Sequence, residues 1–120
     1  MRHHITIPGE LPSMNQIIAK SKQHYGAYAA MKKKYTGLVI EQAKDMQPIG
    51  KADFVFTWYC KDKRKDPDNV AAGGTKMCLD GLVEAGVMEG DGWGQVNSLT
   101  HMFQVDKNFP RVEIEIFEVK

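Results

Sequence analysis

The sequence is short of cysteine and of long apolar runs. Cys60 and Cys78 are its only two cysteines, too few for a disulfide framework and too far apart for a Cys-x-x-Cys site. Both read as small buried hydrophobes, and a reducing, cytoplasmic setting is expected. No apolar run approaches the roughly 20 residues that cross a bilayer, and the opening Met1-Arg2-His3-His4 does not lead into the apolar core of a signal peptide. No membrane partner is therefore expected. Internal repeats, low-complexity tracts and linkers are also missing. What is present is ordinary globular composition: 120 residues, 42% hydrophobic and 26% charged. That reads as one domain over residues 1–120.

The net charge of +1 hides an asymmetry. Residues 1–79 carry 13 Lys+Arg against 7 Asp+Glu, and residues 80–120 carry 3 against 8. Between Leu11 and Ile40 lie Lys20, Lys22, Lys32, Lys33 and Lys34 with no acid. Such a stretch suits either a polyanion or a solvated face.

Periodicity suggests an α+β domain in the order β-α-β-α-β-β, a mixed sheet covered by two main helices. Ile5 and Ile7 alternate around Thr6 as a first strand. Residues 8–27 look irregular, broken by Pro8, Gly9, Pro12, Ser13, Asn15 and Gly26. Met31, Tyr35, Leu38, Val39 and Met46 recur at helical steps, with Pro48 and Gly50 closing that helix. Phe54, Phe56, Trp58 and Cys60 alternate with Val55, Thr57 and Tyr59 in a central strand expected to pack on both faces. A second helix is expected from an Asp68 N-cap to Gly86, with Val70, Met77, Cys78 and Leu82 inward. Strands at about 95–105 and 111–119 are expected to form a hairpin around residues 106–110.

The chemistry-bearing segment runs from Lys61 to Val96. Asp66 and Asp68 stand two residues apart where the central strand gives way to the helix. In extended geometry they project to one side, roughly 6–7 Å apart at the alpha carbons. Two such carboxylates repel unless a cation or proton lies between them. Oxygen ligands without histidine or cysteine favour Mg²⁺, with Mn²⁺ as a substitute, over zinc. Around them lie Lys61, Lys63, Arg64 and Lys65. An acidic pair in a basic collar suits a phosphodiester: the bases hold phosphates while a metal activates water. Taken alone, Asp-Pro-Asp-Asn also fits a proline turn with an Asp N-cap.

Several motifs in one order carry a resemblance. Asp66-Pro67-Asp68-Asn69, Lys76, Leu79-Asp80-Gly81-Leu82, Ala85-Gly86 and Asp91-Gly92-Trp93 resemble the RusA-type Holliday junction resolvases, small endodeoxyribonucleases of bacteria and their phages. Ile5-Thr6-Ile7-Pro8 and Pro12-Ser13-Met14-Asn15 are similar to that family's opening. The resemblance implies a homodimer that binds four-way junction DNA and nicks two strands symmetrically with Mg²⁺, in recombination and repair within a bacterial or phage-infected cell. It implies Asp66, Asp68 and Asp91 as metal-binding catalytic carboxylates and Lys76 as the catalytic lysine. DNA contacts would come from Lys63, Arg64 and Lys65, joined by Lys32, Lys33, Lys34, Asn69 and Asn15. The lysine departs from the pattern: one turn after Asp68 stands Ala72, and Lys76 lies about 12 Å of helix rise beyond Asp68. A bend at Gly73-Gly74 would bring it back, and Lys65 is the substitute.

Plainer readings stand beside these. Lys76, Asp80 and Glu84 fit a surface ladder, Trp93 fits a packing anchor for its loop, and His24 and His101 fit ordinary polar roles. Glu118-Val119-Lys120 matches another nuclease motif by chance. The alternative function is a non-catalytic junction or single-strand DNA-binding protein, and a third is a metal-dependent nuclease or phosphatase acting on flaps or small phosphoesters.

Overall fold

In the computed structural model, which describes residues 1–119, the elements run β1 (Arg2–Pro8), α1 (Met14–Gln23), α2 (Tyr25–Ala43), β2 (Ala52–Cys60), α3 (Pro67–Glu84), β3 (Val96–Val105) and β4 (Arg111–Glu118). The chain is a small α+β domain with a mixed four-stranded sheet and three helices. The expected order thus lacked one helix. Residues 8–27 are not irregular throughout, because Ser13 caps α1 rather than breaking the chain. Its hydroxyl accepts from the Gln16 N–H at 3.3 Å, and the Gln16 side chain accepts from the Ser13 N–H at 2.9 Å. This is a capping box. His24 then caps α2, accepting the Ala27 N–H at its Nδ1, so that helix starts earlier than the apolar period indicates. It ends at Ala43, ahead of Pro48 and Gly50.

The sheet order is β1-β4-β2-β3. The last two strands are not a hairpin. β3 pairs parallel with β2, while β4 pairs antiparallel with both β1 and β2. Residues 106–110 step across the end of β2, and the Asp106 N–H donates to the Cys60 carbonyl at 2.8 Å. A parallel β2–β3 pair requires a crossover, and α3 supplies it. β2 is central, but one face only is fully covered: Phe54, Phe56 and Trp58 are buried, whereas Val55, Thr57 and Tyr59 are half-buried.

α3 begins two residues before the expected start, with Asp66 rather than Asp68 as N-cap and Pro67 at the first helical position. Met77, Cys78 and Leu82 lie in the core, and burial pushes the Cys78 thiol pKa up. Gly86 adopts φ 80°, with its N–H on Val83 and the Val87 N–H on Leu82, which closes the helix as a Schellman motif.

Gly73 and Gly74 do not break α3, which runs continuously through them. They are contact points. A Cβ on Gly73 would collide with the backbone of Pro12, Ser13 and Met14, one on Gly74 with the Trp58 ring, and one on Gly81 with Val39. Trp58 is also held from its far side: its Nε1–H donates to His101 Nδ1 at 3.0 Å, and both rings stack on Phe56. Burial lowers the His101 pKa, keeping the imidazole neutral as that acceptor role requires.

Alanine at Gly73 gains about 1 kcal/mol of helix propensity but must displace backbone, which costs about 1–3 kcal/mol or more. Gly73→Ala is therefore expected to lower the urea midpoint, whereas alanine at the open Gly37 raises it.

Candidate functional site

The α3 N-terminus lies at the C-terminal end of β2, where the loop from Lys61 to Lys65 delivers Asp66. Asp66 is extended (φ −70°, ψ 140°) and its side chain makes no capping bond. Asp68 is already inside the first helical turn, so the two do not form the extended pair that sequence spacing suggests. They share the positive end of the helix instead, where the macrodipole favours anionic groups. Both are exposed. Asp68 accepts only its neighbour's N–H, from Asn69 at 2.9 Å, and neither carboxylate has an ion-pair partner among the described residues. Apart from that one backbone bond to Asp68, their oxygens have no hydrogen-bond partner among the described residues.

The basic collar divides in two. Lys61, Lys63 and Arg64 are exposed, and Arg64 is steered by Asp62, whose carboxylate accepts its N–H at 3.0 Å. Lys65 turns back toward α1, with Nζ 3.3 Å from Gln16 Oε1 and 3.8 Å from Glu10 Oε1. Glu10 also accepts the Lys61 N–H at 2.9 Å, so it fixes the start of the loop. No sequence pattern marked Glu10 for this. Asn69 and Asn15 meet, but through a structural bond: the Asn69 Oδ1 accepts the Asn15 backbone N–H at 2.9 Å. This ties α1 to α3 and leaves the exposed Asn15 side chain free.

Lys76 lies eight residues beyond Asp68 in the continuous α3, about 12 Å of rise, and pairs with neither aspartate among the described residues. Its Nζ lies 3.7 Å from Asp80, whose carboxylate also takes Lys32 of α2 at 3.3 Å. That hydrogen bond and the charge of Asp80 raise the Lys32 pKa. The Lys76–Asp80 rung of the expected ladder is thus present, and Lys32 joins it from a second helix. Lys33 and Lys34 stay exposed, with Lys34 over the Tyr35 ring at 5.1 Å.

Asp91 does not join Asp66 and Asp68 within one chain. It lies just before β3, at the other end of α3, and an 18-residue helix spans about 27 Å. Among the described residues, no three His, Cys, Asp or Glu side chains come together. One chain therefore offers two hard carboxylate ligands suited to Mg²⁺ or Mn²⁺, short of a full set. Trp93 does not anchor its loop: it is 94% exposed. No helix is long and apolar enough to cross a membrane.

Comparison with models of known protein families finds no match, and a search of curated proteins finds none either.

Neither aspartate caps α3 through its side chain, so Asp66→Asn and Asp68→Asn are each expected to cost at most about 0.5–1 kcal/mol, the macrodipole share alone. Urea unfolding checks this; a larger loss at either position would give that carboxylate a structural role.

Proposed function

We propose that the chain is a Mg²⁺-dependent, structure-selective endodeoxyribonuclease that acts as a homodimer on four-way junction DNA. The observation that carries this reading is the pair of unpartnered carboxylates at the α3 N-terminus, set among the exposed Lys61, Lys63 and Arg64. A protein that only gripped DNA would gain nothing from bare negative charge facing a polyanion. With a metal the same charge becomes useful. Asp66 and Asp68 would hold Mg²⁺, which when bound supplies charge neutralisation at the phosphate and an acidified water. Lys63 and Arg64, both exposed, bind backbone phosphate and place the strand against the carboxylates, with Asp62 3.7 Å from the Arg64 guanidinium. Lys33 and Lys34, exposed on α2, add positive surface, whereas Lys32 is committed to Asp80. Lys76 belongs to the Asp80 clasp, so Lys65 is the nearer lysine to the carboxylate pair in the chain.

The sheet supports the homodimeric reading. β3 is an edge strand, and Val96–Val105 contains no Lys, Arg, Asp, Glu or Pro, the residues that usually guard an edge. The other edge, β1, has Arg2, His3, His4 and Pro8. Leu99, Met102, Phe103 and Val105 are exposed along β3. A two-fold axis through the middle of β3 pairs it antiparallel with its copy. That pairing sets the start of one β3 beside the end of the other. The partner's Asp91 then approaches Asp66 and Asp68, completing across the interface the carboxylate set that one chain lacks. Two such sites, related by the axis, suit paired nicks.

Cleavage of a labelled synthetic four-way junction tests this, with linear duplex as control. Wild type is expected to make paired nicks with Mg²⁺ and none with EDTA, and Asp68→Asn to lose at least about a hundredfold in rate. Tight junction binding without cleavage under Mg²⁺ or Mn²⁺ would favour the non-catalytic binder. Cleavage of flaps or small phosphoesters in preference to junctions would favour the third reading.

A further inference from the structure

We propose that Trp93 is the knob that locks two copies of this chain together, its indole seated in a groove of the second copy beside Asp66 and Asp68. The proposal rests on the homodimeric reading and names the contact that holds it. Trp93 stands between Gly92 and Gly94 at the start of β3 and is 94% exposed. An aromatic of this size left fully bare gives up its whole apolar contribution to its own fold. Its loop is nevertheless built: the Gln95 and Val96 N–H groups both donate to the Gly92 carbonyl, at 3.1 and 2.9 Å. The indole is therefore presented on a formed turn.

At the opposite end of the same strand lies a groove of about 550 Å³ between the basic loop and the β3 edge. Pro67, Val70, Phe103 and Val105 supply its apolar wall, and Lys63 and Lys65 its rim. Phe103 and Val105 are 39% and 49% exposed. Knob and groove cannot meet within one chain, because the ten residues of β3 hold them about 30 Å apart. Antiparallel pairing about a two-fold axis brings each knob to the other copy's groove, so the contact forms twice, as an isologous interface demands. Charge agrees at the rim, where Lys63 of the groove meets Glu89 beside the knob; Asp62 lines the groove as well, and Asp91 beside Asp66 and Asp68 needs the cation that the proposed site would hold. Seating the indole beside Pro67 also brings the neighbouring Asp91 to the α3 N-terminus. One contact thus couples assembly to completion of the site.

Sedimentation equilibrium on a dilution series of wild type, Trp93→Ala, Phe103→Ala and the double variant tests the contact. Wild type is expected to dimerise, and Trp93→Ala to raise the dissociation constant at least about tenfold. Its monomer should keep the wild-type urea midpoint, since Trp93 is not packed against its own fold. Phe103→Ala should weaken the dimer as well, and the double variant should fall short of the product of the two single effects. A wild-type dimer that Trp93→Ala leaves unchanged would overturn the knob while sparing the homodimer. Loss of junction binding with dimerisation intact would assign Trp93 to DNA and overturn the proposal. A monomeric wild type would overturn both the knob and the homodimer.

Discussion

The parallel pairing of β2 with β3 governs the rest of the structure. Two parallel neighbours need a connection that returns to the starting end of the sheet, and α3 is that return. Its N-terminus therefore lies at one end of the sheet and its C-terminus at the other. Asp66 and Asp68 fall at the first end, Asp91 at the second. The same pairing leaves β3 on the outside, with a row of backbone groups and apolar side chains facing solvent. Separation of the carboxylates and exposure of the edge are two results of one topological choice, and the proposed edge-to-edge pairing of two copies would answer both.

The crossover works only if α3 lies close to the sheet. Gly73 and Gly74 allow this, by removing the Cβ atoms that would meet the Pro12–Met14 backbone and the Trp58 ring. Asn69 adds a bond to the first turn of α1, and Asp80 clasps Lys32 of α2. The N-terminal end of α3 is thereby fixed on a rigid frame, although its two carboxylates have no structural duty of their own. Unpaired acids on a helix end, in a basic surround, are what the proposed cation and phosphate site requires.

Local patterns in the sequence reveal much of this. The alternation of Ile5 and Ile7, of Phe54, Phe56 and Trp58, and of Val112, Ile114 and Ile116 marks three strands that the structure contains. Gly86 marks the end of α3, and the 61–68 segment marks the carboxylates and their collar. Pro12 and Ser13 mislead, because the breaker and the cap use the same residues and only Gln16 three positions on separates them. Sheet order is hidden for another reason. Residues 106–110 look like a hairpin turn whichever strand lies between their ends, and insertion of β2 is a long-range event. Gly73-Gly74 reads as weakness in a helix until the surfaces against it are known. The place of Asp91 is hidden for the same cause as the sheet order.

If each site takes carboxylates from both copies, mixing two dead variants restores activity. Asp66→Asn and Asp91→Asn are each inactive as homodimers under this account. Mixed in equal amounts and allowed to exchange subunits, half of the dimers hold one intact site and one doubly altered site, so junction nicking should return to about one quarter of the wild-type level. No recovery, with exchange verified, would mean that each chain uses its own three aspartates or none, and would contradict the account.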